Sequence, residues 1–150
     1  MPGSRDKDLV RRLFTEVFND RNEAATRELI AADFRGHHPA SPNVIHGPDG
    51  ILEAMKPFWS AFSNLRYTID ILIAEGELVA AHWSATGTHD GLFMLRGSPF
   101  KPVAPTKRVV GTTGTDIFRI ADGKIVEAWV VSDLLGVLVQ LGAIPSGPVH

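Results

Sequence analysis

Asp122-Gly123 constrains this chain more than any other pair of residues. An Asp-Gly step between two β-prone runs marks a two-residue hairpin turn, because both central positions need positive φ. Ile117-Phe118-Arg119-Ile120 precedes the step, and Lys124-Ile125-Val126-Glu127-Ala128-Trp129-Val130-Val131 follows it. The reading is a pair of antiparallel strands over residues 108–120 and 124–132. The chain then turns a polar corner at Ser132-Asp133 into an apolar helix over 134–141, ended by Gly142. On the second strand Glu127, Trp129, Val131 and Asp133 recur at period two and share a face. A wholly buried strand has no use for two carboxylates, so this face is expected to line a partly wet pocket.

The earlier chain is helical in pattern. Leu9, Val10, Leu13, Phe14, Val17 and Phe18 fall at helical spacing and predict a helix over 6–18. Asn22 can cap a second helix over 23–32. Asp33-Phe34-Arg35-Gly36-His37-His38-Pro39 follows, and then a Pro/Ser/Asn loop to Gly47, in which His38 and His46 read as surface residues. Pro48 suits the first turn of a third helix over 48–62, with a kink or 3₁₀ break expected at Pro57. Strands follow over 66–74, with Tyr67, Ile69, Ile71 and Ile73 on one face, and over 78–89. Residues 90–107 form an irregular loop, and 1–5 and the tail beyond 142 are expected to be loose. Helices first and strands second give an α+β domain, with three N-terminal helices on a curved, mainly antiparallel sheet around an interior pocket. The chain reads as one domain, 1–150, with an ordered core of about 6–142.

Composition narrows the partners. The net charge is −2 and the longest basic cluster is Lys107-Arg108, so neither nucleic acid nor an anionic membrane is expected to bind. There is no cysteine, which removes disulfides and thiolate chemistry. No stretch approaches the ~20 apolar residues of a membrane span, and the N-terminus lacks an apolar leader; a cytoplasmic location is expected. The six histidines lack HxH or HExxH spacing, and the adjacent His37-His38 point apart in an extended segment, so neither metal nor cofactor is expected. His82 and His89 have opposite parity on one strand, so without a bulge only one faces inward.

Several segments together resemble the SnoaL-like polyketide cyclases of the NTF2-like superfamily. They are Asp33-Phe34-x-x-His37-x-Pro39, Gly47-x-Asp49-Gly50, Ala74-Glu75-Gly76-Glu77, Gly87-Thr88-His89-x-Gly91 and Pro105-Thr106-Lys107. Arg119-Ile120-x-Asp122-Gly123-Lys124-Ile125-Val126-Glu127-x-Trp129-x-x-x-Asp133 and Gln140-Leu141-Gly142 complete the set. The resemblance spans about residues 8–142. It departs from the family at Phe62-Ser63-Asn64, where Phe-Pro-Asp is usual, and at His82, where Arg often precedes the aromatic.

The resemblance implies a cone-shaped NTF2-like roll and a cofactor-free enzyme performing intramolecular aldol cyclisation on an apolar, carbonyl-bearing molecule. Asp133 then acts as general acid/base, although its position before LLGVLVQL also suits a helix N-cap. His37 orients the substrate carbonyl or holds Asp133, and His89 is the inward histidine. Trp129, Trp59, Phe62, Glu127 and His89 are the candidate substrate-lining residues; a Glu127–Arg119 ion pair across the hairpin is a second role for Glu127. Isomerisation, epoxide hydrolysis and non-catalytic binding are the alternatives. For epoxide opening, Asp116 and Arg119 fall on opposite faces of a regular strand. The remaining apolar sheet face is expected to pack on a second copy, making a homodimer, as the resemblance also implies.

Overall fold

The computed structural model describes residues 3–39 and 41–144; the tail expected to be loose lies, from 145 onward, outside them. Helix α1 runs Ser4–Arg12 and starts inside the segment expected to be loose. It passes directly into a π-helical segment, Leu13–Asn19, where a uniform α-helix was predicted. Val10, Leu13, Phe14 and Val17 are buried along both. Asn19 ends the π segment and reaches across to the sheet. Its side chain donates to the Tyr67 carbonyl at 3.0 Å and accepts from the Tyr67 N–H at 2.7 Å. Asn22 then caps α2, Glu23–Leu29, accepting from the Ala25 N–H at 3.0 Å.

The second helix stops three residues earlier than its pattern predicts, because Ile30–His37 is a strand, β1. It pairs parallel with the last strand and antiparallel with the two-residue β2, Ile45–His46. No alternation marks β1 in the sequence; its partner lies some ninety residues on. Helix α3, Gly47–Ala61, has Pro48 in its first turn and stays helical through Pro57 rather than breaking there.

Strands β3 (Arg66–Glu75), β4 (Leu78–Thr88), β5 (Val109–Ala121) and β6 (Lys124–Ser132) form an antiparallel meander. The sheet order is β2-β1-β6-β5-β4-β3. The β5–β6 turn carries Asp122 at φ 53° and Gly123 at φ 73°, the positive values that the hairpin demands. Helix α4, Leu134–Gln140, follows β6.

One sheet face packs on the helices. Val79, Ala81, Trp83 and Ala85 of β4, with Val110, Asp116, Phe118 and Ile120 of β5, are buried on it. Phe14 meets Phe118 and Tyr67 edge-on, at ring separations of 6.3 and 6.2 Å. Burying a side chain such as Phe118 contributes about 1.5–3 kcal/mol. The face predicted for β3 is interrupted by a register shift at Asp70. One extra residue moves all later side chains to the opposite face. Ile71 and Ile73 therefore stand 53% and 59% exposed on the outer face, while Leu72 and Ala74 turn inward.

The Asn19 clamp holds the π segment to β3 by two part-buried hydrogen bonds. Asn19→Ala should cost about 1–3 kcal/mol, measured by urea unfolding, because it orphans two main-chain groups at once.

Candidate functional site

Asp116 is the one carboxylate buried among the described core residues, 2% exposed at the middle of β5. Counting back from the turn, Ile120, Phe118 and Asp116 alternate onto the inner face, while Arg119 and Ile117 alternate outward. Asp116 pairs with Ala81 of β4 and Val130 of β6, so apolar side chains flank it on both sides. Burial pushes its carboxyl up to about 7, and the nearby Trp83 indole N–H opposes this by favouring the charged form. Yet neither Oδ1 of Asp116 nor Nε1 of Trp83 closes a hydrogen bond. The Tyr67 ring lies 5.0 Å from that of Trp83. Burial and the Asp116 charge raise the Tyr67 phenol above its usual range.

A cleft of about 300 Å³ opens where β1 ends, between the following loop and β6. His37, His38, Asn43, Trp129 and Val130 are among its walls, and Val130 is the cross-strand neighbour of Asp116. His38, read from the sequence as a surface loop residue, is half-buried, and desolvation lowers its pKa. Its Nε2 lies 3.5 Å from Ser132 Oγ. Ser132 pairs with Gly114, two residues along from the Asp116–Val130 pair.

The predicted site residues divide into separate groups. Glu127 and Trp129 do share a face, but it is the outer one. A register shift between the pairs Ile120–Ile125 and Arg119–Glu127 leaves Val126 as an extra residue. That bulge reverses the inward parity counted from the turn and gives the inner face to Ala128 and Val130 instead. On the outer face His37 Nε2 lies 2.8 Å from Glu127 Oε2, and the His37 and Trp129 rings stack at 5.7 Å. The His37 hydrogen bond is the main reason that the Glu127 carboxyl is held below its usual range. Arg119 sits over Trp129 at 5.5 Å, bonds to Glu77 and approaches Glu127 at 3.5 Å, which is the cross-hairpin ion pair expected.

Asp133 joins neither group. It is exposed on the wall of an open cleft of about 240 Å³ with His82, Thr115 and Ser132, and its Oδ1 accepts from the Gly136 N–H at 2.9 Å as the N-cap of α4. His37 therefore holds Glu127, not Asp133.

His89 is inward and fully buried, whereas His82 is outward, bonded to Thr115 Oγ1 at 2.8 Å. His89 Nδ1 accepts from the Thr106 N–H at 3.1 Å, so the proton sits on Nε2, which has no partner. Phe62 packs on that ring at 5.4 Å, beside Phe93. Trp59 is half-buried in α3 and donates to the Phe18 carbonyl at 3.1 Å. Asp116 and Arg119 lie on opposite faces, so the acid–arginine pairing of epoxide opening is not assembled. Among the described residues no group of three or more His, Asp or Glu is placed to hold a metal ion. No described helix is long and apolar enough to cross a membrane.

Helices packed on one face of a curved six-stranded sheet give the chain an NTF2-like, ketosteroid isomerase-like fold. The family model for SnoaL-like polyketide cyclases matches residues 8–141, and the chain belongs to that family. IdmH of Streptomyces antibioticus, named as a polyketide cyclase, is 31% identical with a TM-score of 0.75, over 93% of this chain and 99% of that one. A protein of Jannaschia sp. CCS1 named as a SnoaL-like polyketide cyclase is 26% identical with a TM-score of 0.80, over 95% and 94%. A Catenulispora acidiphila protein of ketosteroid isomerase-like fold, solved with trimethylamine, shares the fold at 19% identity and a TM-score of 0.69, over 94% and 98%. Comparison with curated proteins finds no match.

Asp116 gives the site a measurable pH signature. Its folded-state pKa is raised to about 7 from a reference of 3.8, so the native state holds one more proton than the unfolded state between those values. Stability should therefore be highest at the acidic end of that window and fall as pH rises through it. Asp116→Asn should remove this dependence and stabilise the protein above pH 7 by up to about 4 kcal/mol, seen in urea titrations on either side of the window.

Proposed function

We propose that the protein is a cofactor-free acid/base enzyme that closes a ring by intramolecular aldol addition on an apolar, carbonyl-bearing substrate, with Asp116 carrying the proton. The observation behind this reading is the Asp116 carboxyl: buried, unpaired at Oδ1, and brought to about 7 by desolvation. A base with a pKa near the working pH combines the correct ionisation state with proton-transfer driving force.

In the reaction the Asp116 carboxylate takes a proton from the carbon between or beside carbonyls. The C–H pair becomes the enolate double bond, and the carbonyl π pair moves to oxygen. The enolate carbon attacks a second carbonyl of the same molecule and forms the ring C–C bond. The oxygen of that carbonyl takes the proton back from Asp116, so nothing is gained or lost overall. Phe118, Val130, Trp83 and Tyr67 supply an apolar surround suited to a flat substrate. His37 and Trp129, as walls of the cleft at the end of β1, fit a role in admitting it. His89, with its free Nε2–H beside Phe62, fits a polar anchor deeper along β4.

α-Hydrogen exchange isolates the first step. With β-tetralone in D₂O, Asp116→Asn should lower protein-catalysed exchange by at least on the order of 10²-fold. Undiminished exchange would sink the reading. Asp133→Ala should instead remove the α4 cap, costing about 0.5–2 kcal/mol of stability with turnover retained.

We also propose that two copies pair through the outer sheet face. Ile73, Ala80, Ile117 and Trp129 form one row across four strands, and Ile71, His82, Thr115 and Val131 form the next. Ile71, Ile73, Ile117 and Val131 are all exposed in the single chain. A contiguous apolar patch of this kind on a soluble domain marks an interaction surface. Light scattering behind size exclusion should give twice the 16.3 kDa chain mass, and Ile117→Asp should return it to one.

A further inference from the structure

The placement of Trp83 is unusual in three respects. Its Nε1–H is buried without a partner, although buried indoles normally find one. It lies near an equally unpartnered acceptor, Asp116 Oδ1. Its ring also occupies space that any other residue at 114 would fill. A Cβ on Gly114 would stand 2.3 Å from Trp83 Cζ2 and 2.6 Å from Cε2. Gly114 thus lets the indole lie flat against β5, and Tyr67 backs the ring from β3 at 5.0 Å. The other two indoles are placed differently: Trp59 donates to the Phe18 carbonyl, and Trp129 stacks on His37 at the outer face.

We infer that Trp83 is a catalytic residue, whose indole N–H donates to the substrate oxygen that becomes the enolate while Asp116 removes the neighbouring proton. The inference rests on the acid/base reading of Asp116 and adds the group that receives the developing negative charge. One unpartnered neutral donor and one carboxylate with a free oxygen match the two ends of an H–C–C=O unit: the carboxylate meets the hydrogen and the indole meets the oxygen. A fixed donor in a dry site needs no reorganisation as charge develops, so its effect appears in the chemical step more than in binding. The substrate class narrows accordingly to a planar ketone or polyketone that presents its oxygen edge-on to the indole.

Wild-type protein labelled at the indole nitrogens can be titrated with β-naphthol, a flat mimic of the β-tetralone enol. The Trp83 N–H resonance should move downfield, and those of Trp59 and Trp129 should move less. Trp83→Phe keeps an aromatic ring and removes the donor. It should bind β-naphthol about 10-fold more weakly and exchange β-tetralone with kcat lower by on the order of 10²-fold, KM changing far less. Gly114→Ala keeps the N–H but displaces the ring, and should lower kcat in the same sense. If Trp83→Phe retains kcat within about 2-fold while Asp116→Asn abolishes exchange, the donor role is overturned and the acid/base reading stands. Full exchange in Asp116→Asn overturns both. Should Trp83→Phe fail to fold, a Trp83 N–H resonance unmoved by β-naphthol up to its solubility overturns the inference by itself.

Discussion

The register of β5 between β4 and β6 decides what this molecule presents to its interior. Unbroken pairing from Leu78–Arg119 to Thr88–Val109 ties the long strands together and sends alternate side chains to opposite faces. Shift β5 by one residue and Phe118 and Ile120 would face solvent while Arg119 entered the core. The apolar alternation therefore fixes the register, and the register fixes Asp116 inside. A carboxylate that the chain would gain by leaving in water is held there by the burial of its neighbours. The stability lost at Asp116 is recovered at Phe118, Ile120 and Ile125, each of which is nearly or fully buried.

Much of this was legible in the sequence. The Asp122-Gly123 turn, the four meander strands, the Asn22 cap and the α3 start at Pro48 each rest on local chemistry, and each falls where that chemistry puts it. The two errors of facing have one cause. Bulges at Asp70 and Val126 each insert a residue, and nothing local announces either. The second turned Glu127 and Trp129 to the outer face, where Trp129 lines the cleft at the end of β1 instead of an interior pocket. Strand β1 was missed because its partner is remote and its own pattern is mixed.

Asp116 itself could have been found. Counted back from the turn, it is the lone charge in an alternating inner row that otherwise reads Ile120, Phe118, Gly114. Asp133 is the more conspicuous acid in the sequence, because its place before α4 is set by local pattern while its surroundings are not. Surroundings differ: Asp133 caps a helix at the wall of an open outer cleft, while Asp116 is enclosed by apolar side chains.

Strand β1 carries a consequence for how the molecule comes into being. It pairs in parallel with β6, Ile30 with Ile125 and His37 with Trp129, across most of the chain. During synthesis α1, α2 and α3 emerge long before the strand that completes their sheet edge. Such distant contacts are slow to close, since the loop entropy is lost before the pairing is gained. The His37–Glu127 bond and the walls of the neighbouring cleft can form only once nearly the whole chain has left the ribosome. Until then the edge of β1 lies open to pairing with any other strand, and the nascent N-terminal half depends on delay or shelter to avoid it.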